Sequence, residues 1–448
     1  MNLLLTHGYF LAEDAKEQRI MKPYAPLGIL SLSSHLRNKG FAVEIYDSTF
    51  GGREELFGML DAGPPSVVGI YGTLMTRRTV LEIAAHAKAS GWIVVLGGPE
   101  PANYAAEYLA NGADVIVAGE GEYAVERLMA SAFERSAWAS IPGLIFAADD
   151  GSLVRTGPAQ LISNLDAQPW PDRERVDIER YLRVWREHHG AGSVSVITAR
   201  GCPYHCNWCS HSVYGKSHRR RSPESIVDEV EWILQRYAPE MLWFADDVFT
   251  IHHGWITKYA AEMRRRGLRV PFECITRADR LNPEMAETLA ELGCYRVWIG
   301  SESGSQRILD AMQRGVKVEQ VRRAVALCRE HAIQSGMFLM WGYEGEEIDD
   351  VEATVDHVKQ CKPDIFFTTV SYPIKGTPYF ERVQQKLVSL RPWHESTDRE
   401  LMIKGRHSRK FYQHADELLK RTMAAVPDPA DIEIARRALW QTAREVEA

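Results

Sequence analysis

The sequence predicts an α/β protein with two main domains: a doubly wound, Rossmann-like parallel sheet, and a partial (β/α)6 TIM-like barrel with a small helical C-terminal segment. Short apolar runs alternate with amphipathic stretches in both halves of the chain, which is typical of parallel sheets. The composition, 45% hydrophobic and 25% charged, is that of ordinary globular proteins. The length of 448 residues exceeds that of a usual single domain.

The first domain is predicted to span residues 1–140. Nearly continuous apolar runs indicate strands buried on both faces, and amphipathic stretches at 27–40 and 76–91 indicate the covering helices. In such a sheet, ligands bind beyond the carboxyl ends of the strands. The predicted strands are 2–7, 42–47, 67–72, 93–98 and 115–119.

Residues 141–190 break this alternation and are predicted to be a linker with little structure of its own. "GLIFAADDGSLVRTG" (143–157) resembles a hairpin with its turn at Asp149–Gly151. A proline-containing connector, 166–175, follows.

The second domain is predicted to span residues 191–390. Helices are expected at 222–238, with Ser222 as N-cap, and at 282–294. In a barrel, the chemistry gathers at the carboxyl ends of the strands. Residues 391–448 are expected to be helical with a break at 426–431. The predicted strands are 193–199, 241–246, 272–278, 295–301, 335–342 and 365–373.

Composition also restricts the function. A net charge of −7 argues against a general electrostatic grip on nucleic acid. The basic "HRRR" at 218–221 is expected to be a solvated turn beside a helix, with a local basic patch as the alternative. No signal peptide and no run of 18 uncharged apolar residues is evident. With seven scattered or clustered cysteines, the sequence predicts a reduced, cytoplasmic protein without a membrane span.

Three of those cysteines lie close together in "RGCPYHCNWCSH" (200–211). Cys202, Cys206 and Cys209 have the spacing C-x3-C-x2-C, and no second pair completes a four-ligand zinc site. Three thiolates suit an iron–sulfur cluster and leave one iron open to a further ligand. A structural metal site, or three unrelated thiols, is the alternative.

This motif after the first barrel strand resembles the signature of the radical S-adenosylmethionine (SAM) enzymes. The resemblance implies a 4Fe–4S cluster on Cys202, Cys206 and Cys209, whose open iron chelates SAM. An electron from the cluster then cleaves SAM to a 5′-deoxyadenosyl radical, which abstracts hydrogen from the substrate. Trp208, before the last cysteine, matches the family pattern, and Tyr204 is a further candidate SAM contact.

The ends of later barrel strands supply the other SAM-binding candidates that the resemblance implies. Asp246 and Asp247 end the second strand, although adjacent acids also serve as helix caps. Ser301 and Glu302 end the fourth strand. Arg277 ends the third and is a candidate for the SAM carboxylate or for a structural ion pair. "MWGYEGE" (340–346) resembles the family's fifth-strand segment, with Tyr343 and Glu344 where proline often stands.

A doubly wound sheet before such a barrel is compatible with dinucleotide, flavin or cobalamin. The dinucleotide fingerprint G-x-G-x-x-G is absent after the first strand. "LGGPEP" (96–101), "AGEGE" (118–122) and residues 22–47 instead resemble the cobalamin-binding domain of cobalamin-dependent radical SAM enzymes. The residues implied to bind cobalamin are Thr73, Leu74, Met75, Gly97, Gly98, Pro99, Glu100, Gly119, Glu120 and Gly121.

The motif D-x-H-x-x-G, which donates a histidine to cobalt in other cobalamin proteins, does not occur in residues 1–140. We therefore expect cobalamin to bind with its own base displaced and without a protein histidine on the cobalt. The loop 71–78 is then expected to face the lower side of the corrin.

The resemblance implies a cobalamin-dependent radical SAM methyltransferase. One SAM methylates cobalamin, and a second yields the radical that lets an unactivated carbon or phosphorus take the methyl group. The alternatives are a non-methylating cyclase or ring-contracting enzyme, such as the anaerobic magnesium-protoporphyrin ester cyclases, and a cobalamin carrier or sensor. The expected partners are a small-molecule or natural-product-like substrate and an electron donor of flavodoxin or ferredoxin type. Several aromatic residues are candidates to line the substrate pocket, with a role in packing alone as the alternative. They are Tyr204, His211, Tyr214, Trp341, Tyr343 and Tyr372.

Overall fold

The computed structural model describes residues 2–443 of the chain. None of the helices in this range combines the length and the apolar character needed to cross a bilayer. The α/β class and every predicted strand of both series are confirmed, with ends that differ by a few residues.

The N-terminal sheet has seven strands in the order β2-β1-β3-β4-β5-β6-β7. Strands β1 to β5 are parallel to one another. Strand β1 lies between β2 and β3, so the connection after β1 runs to one side of it and the connection after β2 crosses back to the other side. This topological switch point is where ligands bind in open α/β sheets. The strands are β1 Leu3–His7, β2 Val43–Ile45, β3 Val67–Tyr71, β4 Ile93–Gly97, β5 Val115–Val117, β6 Leu144–Ala147 and β7 Leu153–Arg155.

Helices cover both faces of this sheet because its strands are apolar on both sides. Leu4, Val68 and Leu96 belong to a core on one face, and Leu3, Leu5 and Val95 belong to a core on the other. The covering helices are α1 Ala15–Ile20, α2 Leu27–Asn38, α3 Arg53–Ala62, α4 Arg77–Ala89, α5 Ala105–Ala110, α6 Glu122–Ala130 and α7 Arg135–Trp138.

The segment 141–190 is more structured than the sequence predicted. The expected hairpin forms, but its strands β6 and β7 extend the sheet as an antiparallel edge. A helix, α8 Ile178–His189, follows with Asp177 as its N-cap. Tyr181 and Trp185 of α8 are buried and donate hydrogen bonds to Asp47 Oδ2 and Pro23 O, at 2.6 and 2.7 Å. These tertiary contacts add to local helix signals that the linker prediction overlooked, namely the Asp177 N-cap, the left-handed Gly190 and buried residues at helical spacing.

The second strand series forms a six-stranded sheet in chain order, β8-β11-β12-β13-β14-β15. Neighbours from β12 to β15 are parallel. Its strands are β8 Ser193–Val196, β11 Met241–Phe244, β12 Phe272–Thr276, β13 Cys294–Glu302, β14 Gln334–Trp341 and β15 Ile365–Val370, and a separate pair is β9 Ala199–Arg200 with β10 Arg219–Arg220. The helices are α9 Pro223–Tyr237, α10 His253–Arg265, α11 Pro283–Leu292, α12 Gln306–Ala311, α13 Val318–Glu330 and α14 Ile348–Cys361.

The predicted N-cap of α9 is confirmed, since the Ser222 side chain accepts a hydrogen bond from Ser225 N. After β15, the chain forms α15 Pro378–Val383, the strand pair β16 Leu387–Val388 and β17 Met402–Ile403, and the helices α16 Arg409–Thr422 and α17 Pro429–Thr442. The two long helices and the break between them were predicted, whereas the strand pair was not.

The chain forms two compact units whose boundaries do not follow the sequence order. The first comprises the residues up to Pro203, Ser210–Leu242 and Arg391–Thr397, and the second comprises Tyr204–Cys209, Trp243–Leu390 and the residues from Asp398 onward. Residues 391–397, which follow the second strand series in the sequence, thus pack with the N-terminal sheet.

The basic run at 218–221 is not the solvated turn that was expected. Arg219 and Arg220 form strand β10. Arg219 donates to Glu120 Oε2 at 2.7 Å, and Arg221 pairs with the buried carboxylate of Glu229. Because these charges are used inside the protein, the run does not form a free basic patch.

A fully buried histidine, His357, anchors α14 to the end of β13. Its Nδ1 accepts a hydrogen bond from Arg322 Nε at 3.3 Å, and its Nε2 lies 3.2 Å from Ser301 Oγ. Nε2 therefore carries the proton of a neutral ring and donates to the serine. Burial, with the Arg322 charge beside the ring, lowers the pKa of His357 to about 4.

This histidine predicts a loss of stability on acidification. The folded state keeps His357 neutral down to about pH 4, whereas the unfolded chain protonates it near pH 6.5. The unfolded state therefore binds more protons in this window, and the free energy of unfolding should fall by up to about 3 kcal/mol between pH 6.5 and 4. Denaturant unfolding of His357→Gln should lack this part of the pH slope. An identical slope in the variant and the wild type would contradict the assignment.

Candidate active site

The cysteine loop, residues 200–211, presents three half-buried thiols, none of which forms a disulfide. Cys209 N donates to Cys206 O at 3.2 Å, which is a tight turn inside the loop. No group of three or more His, Cys, Asp or Glu side chains is already arranged as a metal site among residues 2–443. The cysteines are therefore judged by their donor chemistry, and three thiols within eight positions fit an iron–sulfur cluster.

Two buried arginines lie beside the thiol of Cys206. Arg277 Nη1 is 4.0 Å from Cys206 Sγ, and Arg314 Nη1 is 3.9 Å from it. Arg277 follows β12, and Arg314 follows α12. Two positive charges are thus fixed within about 4 Å of this sulfur.

Arg314 is held in place by the end of β13. Its Nε donates to Glu302 Oε2 at 2.8 Å, and its Nη2 donates to Gly300 O at 3.1 Å. Glu302 has a φ of +55°, and the pairing of β13 with β14 shifts register between Gly300 and Glu302. A left-handed glutamate is strained backbone that the surrounding contacts must maintain. Here that strain directs the carboxylate to the arginine beside Cys206.

Tyr204 joins the other arginine. The guanidinium of Arg277 lies 3.6 Å from the centre of the Tyr204 ring, and Arg280 Nε donates to the Tyr204 hydroxyl at 2.6 Å. Arg277 also pairs with Asp279 at 2.9 Å. The structural ion pair considered for Arg277 is thus present, and Nη1 still faces Cys206.

Asn207 anchors the middle of the cysteine loop. Its backbone N donates to Met312 O at 3.1 Å, its Nδ2 donates to Ala311 O at 2.8 Å, and its Oδ1 accepts from Tyr343 OH at 2.6 Å. Tyr343 is buried. Trp208 packs against the apolar cluster that contains Met312 and Tyr343. These contacts fix the residues between Cys206 and Cys209 before any cofactor binds.

The remaining predicted SAM residues differ in exposure. At the end of β11, Asp246 is buried and Asp247 is exposed. The hydroxyl of Ser301 is engaged with His357, as described above, and the carboxylate of Glu302 with Arg314. Among the candidate pocket aromatics, Trp341 is buried and Tyr372 is half-buried.

In the first unit, the loops after β3 and β4 touch at their glycines. Gly72 N donates to Gly97 O at 2.8 Å. Gly98 has a φ of +105°, and a Cβ there would lie 2.4 Å from Gly72 O, so only glycine fits. Thr73 N donates to Thr76 Oγ1 at 3.0 Å, which leaves Leu74 half-buried and Met75 54% exposed on the loop.

A buried ion pair joins the same two loops. Arg77 Nε donates to Glu100 Oε1 at 2.6 Å, and Tyr108 OH donates to Glu100 Oε2 at 2.8 Å. Arg77 also donates to Ser396 O at 2.8 Å and stacks on Trp393, 4.9 Å from the ring centre. Glu100, predicted to contact cobalamin, thus has its carboxylate turned inward. Breaking a buried pair from one side costs about 3–5 kcal/mol.

A cavity of about 310 Å³ opens between the sheet and α2. It is lined by Gly97, Gly98, Gly119, Glu120 and Gly121, five of the residues predicted to bind cobalamin. A Cβ at Gly97 would meet no atom within 4 Å, so the backbone there is open to a ligand. This volume lies at the lower end of the usual range for small-molecule sites.

Glu120 is buried and fully bonded. Its Oε1 accepts from Arg200 at 2.8 Å, and its Oε2 accepts from Arg219 at 2.7 Å and from Ile162 N at 2.9 Å. Arg200 also reaches Glu122 at 2.7 Å. This network holds the loop after β5 against the residues that precede Cys202.

His7, at the end of β1, has neither ring nitrogen available. Tyr9 N donates to Nδ1 at 3.2 Å, so Nε2 carries the proton and donates to Asp47 Oδ1 at 3.1 Å. The ring is 5% exposed. Both ring nitrogens of His7 are thus engaged within the protein.

The comparisons with known proteins support both cofactor sites. A model of the B12 binding domain matches residues 20–129, and a model of the radical SAM superfamily matches residues 196–358. The chain is 27% identical over 395 residues to the uncharacterized methyltransferase PH0819 of Pyrococcus horikoshii, which covers 85% of this chain and 83% of the relative. It is 25% identical over 378 residues to the anaerobic magnesium-protoporphyrin IX monomethyl ester cyclase of Synechocystis, covering 81% and 74%.

A solved structure has the same fold. The radical SAM methyltransferase TsrM of Kitasatospora setae, with cobalamin and a 4Fe–4S cluster bound, matches with a TM-score of 0.70 at 22% identity. The match covers 86% of this chain and 74% of TsrM.

Sequence reasoning missed several residues of these sites. Asn207 lies between Cys206 and Cys209, and this position could have marked it as part of the site. Arg314 belongs to no motif, and only the structure shows that it lies beside Cys206. On the other side, Gly28 and Ser31 of α2 line the cavity. Small residues in an amphipathic helix can indicate space for a ligand, and this was the signal that the sequence offered.

We expect the replacement of Arg314 to change the redox potential of the iron–sulfur cluster. Arg314→Met removes a positive charge near the cluster, so the reduced form becomes less stable, and the midpoint potential should fall by ~50–100 mV. Arg314→Lys keeps the charge and should retain most of the potential. EPR-monitored redox titration of the reconstituted proteins measures it, and equal potentials in the Met variant and the wild type would contradict the role.

We expect the replacement of His7 to leave the environment of the cobalt unchanged. Because Asp47 and Tyr9 N occupy its nitrogens, His7→Ala should leave the EPR spectrum of protein-bound cobalt(II) corrinoid unaltered, without nitrogen splitting in either protein. Loss of a nitrogen splitting in the variant would show that His7 ligates cobalt.

Proposed function

We propose that this chain, a member of the cobalamin-dependent radical SAM enzymes, is a methyltransferase acting on an unactivated carbon or phosphorus of a small-molecule substrate. The observation that carries the proposal is the presence, in one chain, of a glycine-lined cavity in a B12-type sheet and a three-cysteine loop flanked by buried arginines. The naming of the P. horikoshii relative as a methyltransferase supports it.

The cofactors of the proposed enzyme are a 4Fe–4S cluster, SAM and cobalamin, which together supply a radical and a transferable methyl group. Cys202, Cys206 and Cys209 would hold the cluster, and Arg277 and Arg314 would balance the negative charge on Cys206. Asn207 and Tyr343 would keep the loop in one conformation. Preorganised charge of this kind costs no rearrangement when an electron arrives.

For SAM we keep the candidates that the sequence suggested: Tyr204, Trp208, Asp246, Asp247, Arg277, Ser301, Glu302 and Tyr343. Ser301 and Glu302 are engaged with His357 and Arg314, so we propose that they shape the site through these partners. Tyr204 and Arg277 stack beside Cys206 and are the best placed for direct contact.

On the corrinoid side, Thr73, Leu74, Met75, Gly97, Gly98, Pro99, Gly119 and Gly121 would approach the cofactor. Glu100 and Glu120 would hold these loops through Arg77 and Arg200. Both ring nitrogens of His7 are engaged, so this side chain would hold Asp47 rather than the cofactor. Cobalamin held by these loops would supply the transferable methyl group.

A cyclase is the second candidate, because the Synechocystis relative is named one. We further propose a cytoplasmic location and an external electron donor of flavodoxin or ferredoxin type, since an isolated cluster needs a one-electron source.

Labelled SAM separates the candidates. Anaerobically reconstituted protein, reduced and incubated with methyl-deuterated SAM and a metabolite extract, should form 5′-deoxyadenosine and a small molecule carrying the labelled methyl. Mass spectrometry measures both. A new product without label would favour the cyclase and overturn methyl transfer.

Cys206→Ala supplies the cluster test. It should abolish cluster absorbance and 5′-deoxyadenosine formation, while corrinoid binding by the first unit is kept. Cys328→Ala, a buried cysteine on α13, is the matched control and should keep all three. SAM cleavage by Cys206→Ala would mean that the motif is misassigned.

A further inference from the structure

A short segment near the end of the chain belongs to the first unit. Residues 391–397 pack with the N-terminal sheet, although they lie outside the two ranges that the family models match, 20–129 and 196–358. The ring centre of Trp393 lies 5.0 Å from that of Tyr108, edge-on, and 5.5 Å from that of Tyr104. Trp393 thus packs against the apolar core on the face that α4 covers.

The same segment encloses the guanidinium of Arg77. Arg77 Nη1 donates to Ser396 O at 2.8 Å and to Trp393 O at 3.3 Å. The guanidinium lies 4.5 Å from the centre of the Tyr104 ring and 4.9 Å from that of the Trp393 ring. Arg77 is the first residue of α4 and is 2% exposed. Because a helix dipole disfavours a cation at this end and burial disfavours an unpaired charge, the position of Arg77 depends on Glu100 and on these two carbonyls.

Arg77 directly follows residues 72–76, the irregular part of the loop that is expected to face the lower side of the corrin. Gly72 N donates to Gly97 O at 2.8 Å. A Cβ at Gly72 would lie 3.1 Å from Pro101 Cγ, so the loops after β3 and β4 pack closely. The contacts that fix Arg77 therefore also fix residues 72–76 and the glycines beside them.

We propose that residues 391–397 complete the corrinoid site, with Trp393 as a positioning residue that fixes residues 72–76 through Arg77. The inference rests on the proposed cobalamin dependence and adds to it an element from outside the B12-type sheet. The ring of Trp393 stacks on the guanidinium of the Arg77–Glu100 pair, so loss of the ring admits water to the pair and loosens the loop. Since such coupling is reciprocal, the segment strengthens corrinoid binding and bound corrinoid orders the segment.

Binding of hydroxocobalamin to full-length, corrinoid-free protein tests the proposal without turnover. Absorbance titration should give a dissociation constant at least about tenfold higher for Trp393→Ala than for the wild type, because the coupled contacts are lost. Trp393→Phe should stay within about threefold of the wild type, because it keeps an aromatic ring. It lacks only an indole N–H that is buried without a hydrogen-bond partner among residues 2–443. Trp440→Ala, on the exposed side of α17, is the control and should bind as the wild type does.

Each result of this titration bears on the segment. A Trp393→Ala protein that binds as tightly as the wild type would overturn the role of residues 391–397 and leave the proposed function standing. A phenylalanine variant as weak as the alanine variant would overturn the role of the ring. Absence of hydroxocobalamin binding by the wild type would overturn both the inference and the proposed cobalamin dependence.

Hydrogen exchange separates positioning from a general loss of stability. In Trp393→Ala, the amides of residues 72–76 should exchange faster, whereas those of β3 and β4 should exchange as in the wild type. Hydroxocobalamin added to the wild type should slow the exchange of residues 391–397. Faster exchange throughout the sheet of the variant, or no slowing at residues 391–397, would contradict the proposal.

Discussion

The charge balance at Cys206 is the interaction on which the candidate radical site depends. The two guanidinium groups stay beside the Cys206 sulfur only if they cannot turn away, and each arginine is fixed by a carboxylate. Arg314 is held by Glu302, whose positive φ is maintained by the register shift at the end of β13. Arg277 is held by Asp279 and by the Tyr204 ring. The strained glutamate and the ion pairs thus keep two positive charges beside the proposed cluster ligand.

The corrinoid side follows a different principle, in which space rather than charge is preorganised. Glycines leave a gap in a hydrophobic core, and the ionisable residues of the surrounding loops are used to hold those loops. The pair Arg77–Glu100 joins the loops after β3 and β4, and residues 391–397 close over that pair. The loop after β5 is held in the same way by Glu120 and its two arginines. The cavity is thereby lined largely by glycines and apolar side chains such as Leu3, Leu5 and Ile29, which suits a large flat cofactor.

The sequence was sufficient for the strands of both sheets, because these depend on local pattern. It was insufficient where long-range partners decide. Glu100 and Glu120 stand in glycine-rich loops like ligand contacts, yet Arg77 and Arg200, distant in the sequence, turn their carboxylates inward. The arginines at 219–221 resemble a solvated turn in the sequence. In the structure, Arg219 pairs with Glu120 and Arg221 pairs with Glu229. Helix α8 is different, because its Asp177 N-cap and its amphipathic spacing were visible in the sequence and were overlooked, while only its contacts with Asp47 and Pro23 required the structure.

A chain that holds both a three-cysteine iron–sulfur cluster and a corrinoid has a defined metal content. Elemental analysis of anaerobically reconstituted protein by mass spectrometry measures this content, with sulfide determined in parallel. We expect about four irons, four sulfides and one cobalt per chain, with the iron lost and the cobalt kept when the cysteines of the loop are replaced. Zinc in place of iron, or iron without cobalt in the presence of excess corrinoid, would contradict it.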